Sequence, residues 1–287
     1  MNGRLQRWRV CIRILLALLA LWMLPGASGW GAALGLFWMH GIVMALSFVV
    51  LLPINRTSPV LLMRAFPREL WLYERVFSFW QPFAERRVHD APHPRADSRG
   101  VLLLHGYNCN RGLWNAWMTQ FRRQGAGFMA LSMEPVNGSI ECYTPMIEDA
   151  VRRLTEATGK APLVVAHSMG GLAARAWWRA HGQPGRVHAM VTIGTPHAGT
   201  PIAYLGWARN VREMRPGSDW LRELALCEQA KPLPPMTCYA SACDQIVCPT
   251  ASALLPGADC TELHGVGHLS LVFHPQVRAD VMARLAG

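Results

Sequence analysis

The chain has 287 residues, 51% of them hydrophobic, which is enough apolar material for a substantial core and excludes general disorder. Its formal charge of +10 comes from 26 arginines and two lysines spread along the whole length, with no cluster that reads as a nucleic-acid footprint. Residues 1–90 hold ten basic and four acidic side chains, a net +6 that leaves +4 for the other 197 residues, so the excess basicity belongs to the N-terminal part.

No Asp, Glu, Lys or Arg stands between Arg13 and Arg56. As helix, those 42 residues would cover roughly 60 Å at about 1.5 Å each, or two bilayer cores of about 30 Å. Pro25, Gly26, Gly29 and Gly31 divide the run into apolar stretches near 10–24 and 30–53, which predicts an N-terminal transmembrane helical hairpin. A signal peptide, with the small residues of PGASG near its cleavage site, is the rival reading, weakened by the full-length apolar stretch behind it. Arg4, Arg7, Arg9 and Arg13 precede the hairpin and Arg56, Arg64, Arg68 and Arg75 follow it. The positive-inside rule then places both ends, and the rest of the chain, on the cytoplasmic side of a bacterial inner membrane; a single span would put the rest on the periplasmic side.

Residues 57–90 mix Arg with Leu, Phe, Trp and Tyr, as in LLMRAFPRELWLYERVFSFW. They predict an amphipathic helical segment, lying either on the membrane surface or against the folded domain. APHPRADSRG, residues 91–100, has linker composition. The expected organisation is therefore a membrane anchor at 1–56, an amphipathic segment and linker at 57–99, and a catalytic domain at 100–287. The eight cysteines show no CxxC pair or other metal-ligand spacing, and buried reduced thiols are the expected state.

From residue 101 short apolar runs alternate with helical patterns. VLLL is followed by a helix near 111–125, FMALS by a helix near 145–158, and PLVVA by a helix near 170–181. HAMVTI, a looser stretch near 200–230, MTCYA, a strand near 260–264 and a helix near 276–286 complete the series. Alternation of this kind predicts βαβ units on a mainly parallel sheet of about six strands flanked by helices, an α/β fold.

PLVVAHSMGGLAARAWW sets Ser168 between an apolar strand and a helix, with Ala166 and Gly170 two residues to either side. A nucleophile elbow requires that context, because the strained turn leaves room only for small neighbours; Ala166 stands where Gly is usual. VLLLHGYNCN runs an apolar strand into His105-Gly106-Tyr107, where Gly106 permits a sharp turn that aims the Tyr107 N–H, with that of Met169, at a developing oxyanion. Asp244 in SACDQIVCP and His268 in ELHGVGHLSLVF each follow a candidate strand, and the order Ser168, Asp244, His268 places all three where open α/β sheets build sites. His167 and His197 compete for the role of base, Glu141, Asp219 and Asp259 for that of acid, and His105 reads as a structural hydrogen bonder.

Over roughly residues 100–287 the chain resembles the α/β-hydrolase superfamily, and within it the bacterial lipases and esterases, to which VTIGTPHAGT at 191–200 is also similar. The resemblance implies a Ser168–Asp244–His268 triad, an oxyanion hole at Tyr107 and Met169, and ester hydrolysis through an acyl-enzyme without metal or organic cofactor. Its implied partners are an ester substrate with an apolar acyl group and the lipid bilayer. Acyl transfer, thioester or amide hydrolysis would use the same residues, and a non-catalytic scaffold is the reading from another class. The stretch 200–230 is either a small cap or surface helices, with Trp207, Met214 and Trp220 expected in packing.

Overall fold

The computed structural model describes residues 2–24, 26–94 and 97–285. Two long helices, α1 (Asn2–Met23) and α2 (Ala27–Asn55), pack together across a turn at Gly26, whose φ of 68° favours glycine. The break is narrower than expected: Gly29 and Gly31 lie inside α2, and Pro25 falls outside the described residues.

Among the described residues one stretch, Trp38–Asn55 in α2, is long and apolar enough to cross a membrane, so the expected hairpin of two spans is not supported. The reason lies at the start of α1. Asn2 and Gln6 are buried against the domain, and Arg13 pairs with Glu74 at 3.2 Å. Beyond Arg13 only residues 14–23 of α1 remain, about 15 Å of helix, half the thickness of a bilayer core.

Helix α3 (Pro59–Tyr73) runs on through π-helical turns at Glu74–Trp80 into a short α4 (Gln81–Phe83). Its inner face, Leu62, Ala65, Glu69 and Leu72, is buried, whereas Met63 and Trp71 face outward. The segment is thus packed on protein, with an apolar stripe left exposed. Of the linker, Arg95 and Ala96 lie outside the described residues, and Ala91 is stitched to Phe128 by two backbone hydrogen bonds of 3.0 and 2.8 Å.

The sheet has six strands: β1 (Val101–Leu104), β2 (Phe128–Ala130), β3 (Leu163–His167), β4 (Ala189–Ile193), β5 (Met236–Ala240) and β6 (Asp259–Glu262). All pair in parallel in the order β2-β1-β3-β4-β5-β6. The connecting helices are α5 (Asn115–Gln124), α6 (Thr144–Thr158), α7 (Met169–His181), α8 (Arg209–Glu213) and α9 (Asp219–Ala230), followed after β6 by α10 (His268–Val272) and α11 (Pro275–Leu285).

Strand periodicity decides which side chain meets which layer. Val101, Leu103, Val165 and Val191 point to one face, covered by Trp114, Trp117 and Phe121 around α5 and by Val277 and Val281 of α11. Leu102, Leu104, Val164 and Met190 point to the other, covered by Ile147, Val151 and Leu154 of α6 and by Leu172 and Trp177 of α7. Because the chain leaves β1 toward β2 and returns to the far side of β1 as β3, the direction of winding reverses between β1 and β3. A parallel sheet opens its binding crevice at that reversal, beyond the strand C-termini.

Candidate active site

Ser168 stands where β3 ends and α7 begins, at the reversal point. Its backbone has φ 55° and ψ −129°, a conformation that costs a non-glycine residue about 1–3 kcal/mol. The surroundings hold it there: its N–H donates to the Ile193 carbonyl at 2.9 Å, and its own carbonyl accepts from Gly171 N–H at 3.0 Å. Gly170 is obligatory, since a Cβ there would lie 2.6 Å from the carbonyl oxygens of both Leu104 and His105. Ala166 is buried in the core on the strand that leads to the elbow, so a methyl group fits where Gly is usual.

The loop after β1 closes over the serine. A Cβ on Gly106 would fall 2.8 Å from Ser168 Cβ and 3.3 Å from its Oγ, so only glycine lets this backbone pass so near. His105 shapes the turn: its Nε2 accepts from Met133 N–H at 2.9 Å, its Nδ1 faces the Gly106 carbonyl at 2.8 Å, and burial pushes its pKa down to about 4. It is a structural hydrogen bonder, as its sequence context suggests. The N–H groups of Tyr107 and Met169 make no hydrogen bond within the protein among the described residues.

Asp244, 1% exposed, sits on the loop after β5. Its Oδ1 accepts from the N–H groups of Ile246 and Val247, both at 2.8 Å, and its Oδ2 lies 2.7 Å from His268 Nδ1. Burial opposes the charged form of His268, but the charge and hydrogen bond of Asp244, with the charge of Glu69, outweigh it and raise the His268 pKa above its ordinary value. Gly194, at φ 56°, leaves space for the pair: a Cβ there would lie 3.0 Å from Asp244 Oδ2 and 3.2 Å from His268 Nδ1. No hydrogen bond joins Ser168 Oγ to the His268 ring among the described residues, and the ring's partner is Asp244.

The rival residues have other partners. The His167 ring lies 4.5 Å from that of His268 and is tilted 45° to it, its Nε2 is 3.3 Å from the His268 carbonyl, and burial, then His268, hold its pKa well below the ordinary histidine value. His197 is enclosed by Arg175 and Thr192. Glu141 pairs with Arg179, Asp219 with Arg222, and Asp259 begins the edge strand β6. In the 200–230 stretch Met214 and Leu221 pack into the core, but Leu205 and Trp207 are 79% and 86% exposed, so Trp207 departs from the expected packing role.

Sequence reasoning missed Glu69 and Gln245. Glu69 reaches from α3 into the loop that bears His268, and Gln245 accepts from His268 N–H at 3.2 Å. The available signal was that Glu69 is the only acidic residue between Arg13 and Tyr73, in a helix otherwise apolar or basic.

Residues 100–218 match the family described as alpha/beta hydrolase fold. Among solved structures, the mature form of Bacillus licheniformis lipase BlEst2 is similar with a TM-score of 0.55 at 16% identity, over 68% of this chain and 93% of that one. Aspergillus fumigatus lipase B is similar with a TM-score of 0.56 at 17% identity, over 65% of this chain and 52% of that one. No curated protein matches the sequence significantly. Sheet order, elbow and the match over residues 100–218 together give this part of the chain the α/β-hydrolase fold.

Proposed function

We propose that the protein is a membrane-associated serine hydrolase that cleaves carboxylic esters through an acyl-enzyme. Two observations carry this reading together: a strained Ser168 at the C-terminal end of β3, and a buried Asp244–His268 hydrogen-bonded pair on the loops that follow β5 and β6. In the proposed reaction Ser168 Oγ attacks the ester carbonyl carbon while His268 Nε2 takes its proton. Asp244 holds Nδ1–H and stabilises the imidazolium, and the N–H groups of Tyr107 and Met169 receive the negative oxygen. His268 then protonates the departing alkoxide, and a water activated by the same imidazole releases the acid and restores Ser168.

The lipases among the structural neighbours favour an ester as acyl donor. A membrane location is favoured by Trp38–Asn55, with mean hydropathy 1.7, and by outward-facing apolar side chains such as Trp22, Val43, Leu46 and Val49. In this reading residues 100–287 form the catalytic domain, and the preceding helices both dock on it and face lipid.

Hydrolysis of short-chain and long-chain p-nitrophenyl esters by the detergent-solubilised full chain, beside Ser168→Ala, tests the reaction. Turnover that disappears in the variant is the expected result, and chain-length preference then separates esterase from lipase. A folded wild type without turnover contradicts the proposal. Membrane fractions from the same cells should retain the chain after a high-salt wash, and its release by salt would contradict the apolar contact.

A further inference from the structure

Glu69 belongs to α3, far in sequence from the residues discussed above, yet it is 1% exposed and surrounded by the loop that carries His268. Its Oε1 accepts from Leu269 N–H at 2.7 Å and from Gln245 Nε2 at 3.0 Å. Its Oε2 accepts from Ser270 N–H at 2.9 Å and from Ser270 Oγ at 2.6 Å. The carboxylate therefore takes up the free N–H groups at the start of α10, which begins with His268 itself. Gln245 passes the connection on: its Nε2 donates to Glu69 and its Oε1 accepts from His268 N–H, one residue beyond Asp244. Gly267 makes the approach possible, because a Cβ there would stand 2.6 Å from Glu69 Cδ.

We infer that Glu69 is a positioning residue for the proposed hydrolysis, a carboxylate supplied by the N-terminal helical segment that fixes the backbone of His268 relative to Asp244. The inference rests on the serine hydrolase reading for its catalytic meaning. Four hydrogen bonds to one buried carboxylate are more than a packing contact needs, and all four end on residues flanking His268 or Asp244. A neutral amide at this position must turn its NH2 toward at least one of these donors, so the loop has to shift. Displacement of a catalytic base by about 1 Å is enough to cost on the order of a hundredfold in rate.

Asp244 from the loop after β5 bonds the His268 ring, His167 from β3 lies beside it, and the charge of Glu69 from α3 acts on it through space. Removal of the Glu69 charge accordingly lowers the pKa of His268 and moves the acidic limb of the rate profile to lower pH.

The experiment compares wild type, Glu69→Gln, Glu69→Asp and Gln245→Leu as full chains in detergent, with p-nitrophenyl butyrate as probe. In Glu69→Gln, kcat should fall roughly 10- to 100-fold with KM within about twofold, and the acidic limb should move down. Glu69→Asp, which keeps the charge, should retain the wild-type limb. Glu69→Gln within twofold of wild-type kcat and with an unmoved limb would overturn the inference. If Glu69→Gln does not fold, Gln245→Leu decides: a kcat loss of about tenfold at constant KM supports the link, and wild-type kinetics overturns it. If the folded wild type shows no Ser168-dependent turnover, the hydrolase reading fails separately. The positioning role is then read from the His268 Nδ1–H proton resonance, whose shift or loss in Glu69→Gln supports it and whose constancy refutes it.

Discussion

In the sheet domain, apolar side chains face inward in strand alternation and polar groups gather at one edge, the C-terminal ends of β1, β3 and β5 and the loop after β6. The N-terminal helices differ: their outward surface carries apolar side chains, with Trp22 82% exposed, and beside the apolar packing of Leu62, Ala65 and Leu72 they reach the domain through buried polar side chains. Asn2 donates to the Cys109 carbonyl, and Gln6 donates to the Asn108 carbonyl at 2.8 Å and accepts from Asn110 Nδ2 at 3.0 Å. Asn55 and Thr57 donate to the Ala242 carbonyl at 3.0 and 2.9 Å, and Glu69 holds the His268 loop. Each of these contacts lands on one of the loops bearing Tyr107, Asp244 or His268. A few polar residues in apolar helices thus serve as the joints between the N-terminal helices and the candidate site.

Substitutions inside the sheet domain should act most strongly. Asp244→Asn should lower kcat/KM by roughly 10²–10⁴-fold while the protein stays folded, since the amide can no longer stabilise the imidazolium. The same change fixes a pH dependence. Catalysis needs neutral His268, and its raised pKa places the wild-type acidic limb above 6.5, with activity lost as pH falls through it. Asp244→Asn removes the main causes of that rise, so the residual activity should persist to lower pH. A variant with wild-type rate, or a limb that moves upward, would break the assignment of Asp244.

A smaller effect is expected from the N-terminal joints. Gln6→Leu leaves the Asn108 carbonyl and the Asn110 amide without their partner and should destabilise the chain by about 1–3 kcal/mol. Because that loop also carries Tyr107, kcat should fall several-fold together with the thermal midpoint. Unchanged stability and rate would mean that α1 rests on the domain without bearing on the site.

The same contrast explains what could be read before the structure. All six strands were legible because strand alternation is a local pattern, and the same pattern put Ser168, Asp244 and His268 after β3, β5 and β6, where they stand in the fold. The span expected in the first apolar stretch, near 10–24, was misjudged because a run free of charge says nothing of Asn2, Gln6 and Arg13, whose partners lie about 60 to 130 residues away along the chain. Glu69 was passed over for a similar reason: its partners lie 176 to 201 residues further on, and no pattern within α3 announces them. The glycines at 106, 194 and 267 are intelligible only through the side chains that would collide with a methyl group there.

Covalent capture would show whether Ser168 is the nucleophile. The detergent-solubilised full chain is treated with a fluorophosphonate, and the adduct is located by mass spectrometry of its peptides in wild type and in Ser168→Ala. One adduct on Ser168 in the wild type, absent from the variant and slowed in Asp244→Asn, is the expected result. A folded wild type that does not react, or a Ser168→Ala variant that reacts equally, would contradict it.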